Sequence, residues 1–196
     1  MEEQQTGSLA GVDLAGIRLT PTSHTVLRPI DGTEVEDKAC SLLVSVLQEL
    51  TGRIFTPVPD LLWLRNTAFH TSFEAASGTQ ARIPLLVGNS VDVAKKLEWT
   101  ELAQQVEALE ETGSLVRTMG PALVLTGKRG ERGVLYSVCW FLTEVLGCTL
   151  HSDGKLSMPS SSPSVLEVTQ VDIQHRHIPK EKKELFDVFL SKRNVL

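Results

Sequence analysis

The residues best suited to chemistry lie in a glycine-rich loop between an apolar strand and an amphipathic helix. The candidate anion-binding residues are Lys128, Arg129, Gly130, Arg132 and Gly133. Backbone N–H groups at a helix start, flanked by cationic side chains, suit a phosphate or a carboxylate. The glycine spacing, however, is neither the dinucleotide-binding pattern nor a P-loop, and Glu131 adds a negative charge. Glycine turns before helices are common, so a structural loop is the favoured interpretation and anion binding is the alternative.

Other residues with reactive side chains do not form a pattern that predicts a reaction. His175 and His177 alternate along an expected strand and could share a metal, but further ligands at suitable spacing are missing. Glu110 and Glu111 are neighbours on a helix surface, whereas glycoside hydrolysis needs two carboxylates that face each other across a cleft. The sequence contains no nucleophile motif of the Gly-x-Ser-x-Gly type. We therefore predict no catalytic residue, no metal ligand and no cofactor.

Aromatic side chains offer a third kind of contact. Three tryptophans could form a sugar-stacking platform, namely Trp63, Trp99 and Trp140. Trp140 lies within the expected long helix, so contact with another layer or with a missing partner domain is favoured over sugar binding. The C-terminal helix carries Phe186 and Phe189 and is expected to dock on a protein rather than on a membrane. Trp140, Phe186 and Phe189 are therefore the candidate interaction residues.

The bulk composition limits the classes of function. The 196 residues contain 19 Lys and Arg against 24 Asp and Glu, and the formal charge of -5 disfavours nonspecific nucleic-acid binding. No run approaches the ~20 apolar residues that cross a bilayer, and the acidic N-terminal sequence does not read as a secretory signal. Three cysteines cannot all pair, and Cys40 and Cys139 fall on apolar helix positions, which predicts buried free thiols. We expect a cytoplasmic protein with no membrane or nucleic-acid partner.

Periodicity and turn signals predict the elements of the first half of the chain. Thr33 and Glu36 form a capping-box pair for a helix that ends at Gly52. Residues 17–19 and 25–27 are expected to be edge strands at most, because prolines follow them. Strands are also predicted over residues 53–58 and 61–64, a polar loop near Ser77, and a buried strand over 83–87.

The second half alternates helices and strands up to a charged helix. Short helices over 89–97 and 102–109 lead into a hairpin of residues 114–118 and 122–126, with a compact turn between them. The long helix that follows the glycine loop is expected to end at Gly147. Strands over 149–151 and 165–173, a Pro/Ser-rich loop over 157–164 and a helix over 180–194 complete the prediction.

Three phrases in this order resemble the domain that precedes the catalytic barrel in beta-N-acetylhexosaminidases, alpha-glucuronidases and related bacterial proteins. The first is Leu47-Gln48-Glu49-Leu50-Thr51-Gly52, and the second is Ile83-Pro84-Leu85-Leu86-Val87-Gly88. The third consists of Gly127, Arg132-Gly133, Tyr136, Phe141-Leu142 and Leu146-Gly147-Cys148. The similarity covers roughly residues 25 to 178.

The resemblance implies an α/β (α+β) two-layer fold in which a mixed β-sheet carries two main helices on one face. We divide the chain into a flexible lead over residues 1–13, the accessory-type domain over 14–179 and a C-terminal helix or tail over 180–196. In the enzymes this domain supports a barrel that holds the catalytic carboxylates. The implied partners are such a barrel or another protein domain, with carbohydrate bound only through that partner. A barrel needs ~250 residues and 17 follow Pro179, so catalysis is not implied for this chain.

Overall fold

The structure of the chain, a computed structural model, describes residues 17–67, 83–120, 122–159 and 166–196. The helices in these ranges are α1 Glu34–Thr51, α2 Asp60–Thr67, α3 Val91–Lys96, α4 Thr100–Glu107, α5 Gly133–Trp140 and α6 Lys180–Lys192. None of these helices has the length and apolar character that crossing a membrane would require. The predicted lead over 1–13, the loop near Ser77 and most of the loop over 157–164 lie outside the described residues.

Six of the ten described strands form one mixed sheet. The strands are β1 Ile17–Leu19, β2 His24–Arg28, β3 Pro57–Pro59, β4 Ile83–Val87, β5 Ser114–Met119, β6 Ala122–Gly127, β7 Thr149–Leu150, β8 Leu156–Ser157, β9 Leu166–Val168 and β10 Asp172–His175. The order in the main sheet is β10-β5-β6-β4-β2-β3, and β1 with β9 and β7 with β8 form two small sheets. β2 is parallel to β3 and β4, and β4 is parallel to β6. The predicted mixed sheet is confirmed.

Helices cover both faces of the main sheet, and neighbouring strand residues therefore alternate between two apolar layers. Val26 and Leu85 face α1 and α5, the two main helices, which confirms their predicted position on one face. Leu27 and Leu86 face the opposite side, where the shorter helices α2, α3 and α4 pack. Strands that are buried on both faces read as continuous apolar runs, as Ile83–Val87 does.

Local signals account for the position of α1. The Thr33 hydroxyl accepts a hydrogen bond from the Glu36 N–H at 3.4 Å, and the Glu36 carboxylate accepts one from the Thr33 N–H at 2.8 Å. Gly52 adopts the left-handed conformation with φ 65° at the C-terminal end. The predicted capping box and helix end are both confirmed.

The predicted long helix continues beyond α5 in a wider form. A π-helical turn covers Phe141–Val145, and the Leu146 N–H donates to the Phe141 carbonyl at 3.0 Å. The segment ends at Gly147, whose φ is 68°. The predicted hairpin is present as β5 and β6, and the two predicted short helices are present as α3 and α4.

Helix α6 belongs to the same core as the rest of the chain. Phe186, Phe189 and Leu190 are fully buried in the layer that also contains α1 and α5. The Tyr136 hydroxyl donates to the Asp187 carboxylate at 2.8 Å and so joins α5 to α6. The segment over 180–196 is therefore packed as an integral part of the domain rather than as a separate tail.

Three strand predictions need correction. Residues 25–27 lie in β2, which has neighbours on both sides and is not an edge strand. Residues 61–64 belong to α2, whose first residue is Asp60; an acidic residue in the first turn favours a helix at this position. Only Pro57–Pro59 forms a strand in the region predicted over 53–58.

The strand predicted over 165–173 is split between two sheets. β9 pairs with β1, whereas β10 pairs with β5. Thr169 and Gln170 are both exposed and interrupt the alternation between Val168 and Val171, which are both buried. The chain crosses from one sheet to the other at this interruption.

Candidate functional site

The glycine loop connects the end of β6 to the start of α5, at the edge of the sheet where the parallel strands end. A Cβ atom on Gly127 would overlap the backbone of Gly133 and Val134, and one on Gly133 would overlap the Gly113 carbonyl. A Cβ atom on Gly113 would in turn overlap the Arg176 carbonyl. Backbone segments therefore touch directly at these glycines, and this packing explains them without a ligand.

Gly130 has a different role in the same loop. Its φ of 77° lies in the left-handed region, where a glycine has no steric penalty. The Glu131 N–H donates to the Lys128 carbonyl at 3.1 Å and closes the turn. The loop thus has the geometry of a tight strand-to-helix connection.

Two cationic side chains of the loop, Arg129 and Arg132, lie against different partners. The Arg129 guanidinium donates to the Asp31 carboxylate at 2.7 Å and to the Asp31 carbonyl at 2.8 Å, so its charge is paired with the loop after β2. Lys128 and Arg132 are exposed, and neither forms an ion pair within the described part of the chain. Arg132 lies near the Tyr136 hydroxyl, where its charge partly offsets the rise in the Tyr136 pKa caused by burial and by Asp187.

Two buried carboxylates that the sequence does not single out as functional lie among the loops that follow β2, β3 and β4. Glu36 is 2% exposed and accepts from the Thr33 N–H at 2.8 Å and from the Asn89 N–H at 2.9 Å. Gly88, with φ 99°, lies against it, since a Cβ atom there would be 2.9 Å from the Glu36 carboxylate. Glu36 therefore ties the start of α1 to the loop after β4. Its capping-box position was recognised in the sequence, but its second partner was not.

Asp60 makes a second connection of this kind, between the loops that follow β2 and β4. It is 3% exposed, and one of its oxygens accepts from the Ile30 N–H at 3.0 Å and from the Leu61 N–H at 2.7 Å. Its second oxygen accepts from the Ser90 hydroxyl at 2.6 Å. The only local signal for this role is an acidic residue directly after Pro59, at the start of a helix.

These two carboxylates occupy the position where open α/β sheets commonly bind ligands. From β2 the chain turns to β3 on one side and then crosses to β4 on the other, so the switch in direction lies between β2 and β4. Ligands of such folds bind at the carboxyl ends of the strands at this switch. Here Glu36 and Asp60 bridge the loops around that point, and their oxygens accept hydrogen bonds from the chain itself.

The structure places the three candidate interaction residues in the core, which corrects the expectation of an exposed docking surface. Trp140 is 5% exposed, and Phe186 and Phe189 are fully buried. The Trp140 ring stacks on His175 with centroids 4.2 Å apart and meets the edge of Phe186 at 5.1 Å. These side chains join α5, α6 and β10, because burial of their rings stabilises the packing of these elements.

The other two tryptophans do not meet Trp140 on a common surface. Trp63 is buried among the helices of the opposite face, and Trp99 packs against that same layer. Trp140 belongs to the layer of α1 and α5 on the other side of the sheet. The sequence alternative of one sugar platform built from all three rings is therefore not realised.

Within the described residues, His175 and His177 gain no further metal ligands. No group of three or more His, Cys, Asp and Glu residues in the described ranges is arranged to hold a metal ion. The pKa of His175 is lowered, first by burial, with opposing effects from Glu144, which raises it, and from His177 and Lys182, which lower it further. Burial against Trp140 thus favours the neutral ring.

All three cysteines are free and buried, as predicted for Cys40 and Cys139. Burial raises the pKa of the Cys40 thiol to about 12 and also raises the pKa values of Cys139 and Cys148. A thiolate is the reactive form of cysteine, so these residues pack as small apolar groups.

Comparisons with known proteins add no family to this picture. Neither the models of known protein families nor the curated proteins give a match to the chain.

Proposed function

We propose that this chain is a non-catalytic accessory domain of the type that precedes the barrel of glycoside hydrolases, and that it supports a partner domain. The observation that carries the proposal is the backbone packing at Gly127, Gly133 and Gly113. This packing explains the glycines of the loop without a bound phosphate. The same loop carries the strongest part of the resemblance. We also propose a cytoplasmic location, which agrees with the three unpaired buried thiols.

The two buried carboxylates support the same conclusion. A general acid or base must reach its substrate within hydrogen-bonding distance. Glu36 and Asp60 are instead nearly inaccessible and accept hydrogen bonds from backbone N–H groups and from Ser90. Their geometry is that of loop-bridging groups, which hold the carboxyl ends of β2, β3 and β4 in place.

An activity assay tests the proposal directly. The purified chain should release no product from aryl hexosaminides or aryl glucuronides. The matched variants are Glu36→Gln and Asp60→Asn, which keep the side-chain shape and remove the charge. Turnover that follows the protein through purification and disappears in either variant would mean that this chain has a catalytic site of its own and would overturn the proposal.

The alternative function is anion binding by the loop. It is favoured by the exposure of Lys128 and Arg132, which have no ion-pair partner among the described residues, and by the lack of an acidic side chain in the first turn of α5. We expect phosphate-bearing ligands to cause no thermal shift that depends on this loop. A shift that Lys128→Ala and Arg132→Ala abolish, and that Lys180→Ala on α6 preserves, would replace the scaffold proposal by the anion-binding one.

A further inference from the structure

The two edges of the main sheet differ in how they are protected. β3 forms one edge, and two of its three residues, Pro57 and Pro59, have no N–H group to offer to another strand. β10 forms the other edge, and its sequence contains neither proline nor lysine. An unprotected edge strand is a template for pairing with a further strand.

The register of β10 on β5 shows which backbone groups face outwards. The Thr118 N–H donates to the Val171 carbonyl at 2.9 Å, and Ile173 and His175 lie opposite Val116 and Ser114. Antiparallel strands alternate between residues that bond to the neighbour and residues that point away from it. The N–H and carbonyl groups of Asp172 and Gln174 therefore point away from β5. The hydrogen bonds found outside the ladders of the described residues do not use these groups.

An open depression of about 440 Å³ runs beside this edge. It is lined by Trp140, Glu144, Asp172, Ile173, Gln174 and His175. Asp172 and Gln174 are exposed, whereas Ile173 and His175 are partly buried on the side of α5. Among the described residues, the depression therefore leaves room along β10 for an added strand and for apolar side chains that point towards α5.

We propose that the strand which pairs with β10 is β10 of a second copy of this chain, in an antiparallel, two-fold symmetric arrangement. In the register centred on Ile173, Asp172 of each copy lies opposite Gln174 of the other copy. The two outward-facing residues then form two reciprocal pairs with four backbone hydrogen bonds. The Ile173 side chains meet at the symmetry axis, and Asp172 lies opposite a neutral hydrogen-bonding side chain.

Two neighbouring registers also direct the backbone groups of Asp172 and Gln174 towards the added strand, but they are less favourable. A register centred on Asp172 would place two carboxylates directly opposite each other, and like charges in this position are destabilising. A register centred on Gln174 would pair Asp172 with the backbone of Arg176, whose carbonyl already accepts from the Glu110 N–H at 3.0 Å. Only the register centred on Ile173 satisfies both outward residues without like-charge contact. Because the added strand is short, the dimer should be weak and dependent on protein concentration.

Sedimentation velocity over a concentration series tests this dimer. We expect the 196-residue chain to shift reversibly from monomer to dimer as its concentration rises. Gln174→Pro removes an outward N–H that β5 does not use, so it should weaken dimerisation by at least about tenfold while the circular dichroism spectrum stays the same. Gln174→Ala keeps the backbone donor and should still dimerise. A chain that remains monomeric, or a proline variant that dimerises like the unmodified chain, overturns the proposal.

Cross-linking tests the register independently. Opposed residues that are not hydrogen-bonded to each other bring their Cα atoms to ~4.5 Å, which suits a disulfide. Ile173→Cys should therefore form a disulfide dimer under mild oxidation. Val188→Cys is the control, because Val188 is 38% exposed on α6 and the native cysteines are buried. Cross-linking of Ile173→Cys that does not exceed that of Val188→Cys contradicts the proposed register.

Discussion

At the scale of single residues, the glycine loop illustrates how one residue type can suggest chemistry and yet serve packing. The loop carries cations and starts a helix, which are features of an anion site. At Gly127 and Gly133, however, backbone atoms of neighbouring segments occupy the space that a side chain would need. Gly130 alone in this loop needs its conformational freedom, with φ 77°.

Replacing Gly133 by alanine should destabilise the protein by about 2–3 kcal/mol, because the added methyl group overlaps the Gly113 carbonyl in a fixed part of the backbone. Urea unfolding followed by circular dichroism measures the change. Gly120→Ala is the control, since Gly120 has φ 58° and an added methyl group there would meet no atom within 4 Å. Backbone strain alone should then cost about 1 kcal/mol. An effect at Gly133 no larger than at Gly120 would contradict the packing role.

At the scale of elements, an ion pair joins the C-terminal ends of α1 and α6. The Arg193 guanidinium at the end of α6 forms two hydrogen bonds with the Glu49 carboxylate near the end of α1, one of them at 2.9 Å. The hydrogen bond from Arg193 lowers the pKa of Glu49, while partial burial opposes this effect. The pair thus links the C-terminal helix to the first helix across the layer that they share.

This pair should make a pH-dependent contribution to stability. The pKa of Glu49 is lower in the folded protein, so folding favours the charged carboxylate. Its contribution is complete above the unfolded pKa and is lost as the pH falls through the folded pKa. Glu49→Gln should reduce the free energy of unfolding by about 0.5 kcal/mol at neutral pH, since both side chains are partly exposed. The difference from the unmodified chain should shrink as the pH falls below the unfolded value of about 4.3 and should disappear below the lower folded pKa. A difference in urea stability that is independent of pH would refute the coupling.

At the scale of the whole molecule, the chain folds around one sheet with apolar layers on both faces. Phe186 and Phe189 complete the layer that contains Trp140, and the Phe186 ring contacts Tyr136 and Trp140 of α5. The aromatic side chains that the sequence suggested as an interaction surface therefore contact other parts of the same chain. In the main sheet of the described residues, β10 is the edge strand that contains no proline.

Deletion of residues 180–196 should therefore abolish cooperative unfolding. It removes two fully buried phenylalanines together with Leu190. Truncation of one such phenylalanine costs about 3–5 kcal/mol, which is a large share of the stability of a domain. Thermal unfolding by circular dichroism shows whether a transition remains. Val188→Ala on the exposed side of α6 should change stability by less than about 0.5 kcal/mol, and a deletion variant with a sharp native-like transition would show that the segment is a dispensable tail.

The sequence alone predicts much of the secondary structure where the signals are local. Thr33, Glu36 and Gly52 lie within or directly beside α1, and Ile83–Val87 is recognisable as a buried strand by its composition. The stretch from Asp60 onwards is less legible, and the strand expected over residues 61–64 is a helix in the structure. That helix has the acidic Asp60 in its first turn.

The hairpin and helices such as α1 can be located from the sequence, because caps, turns and helical periodicity involve residues a few positions apart, and Ile83–Val87 is recognisable by its apolar run although its partner strands are distant. The use of the candidate residues depends instead on contacts between distant parts of the chain. Asp60 meets Ser90 across 30 positions, and Glu36 meets Asn89 across 53. Trp140 becomes a core residue only when α6 and His175 fold against it. Such contacts depend on the path of the whole chain. The sequence alone therefore does not distinguish these side chains from surface groups.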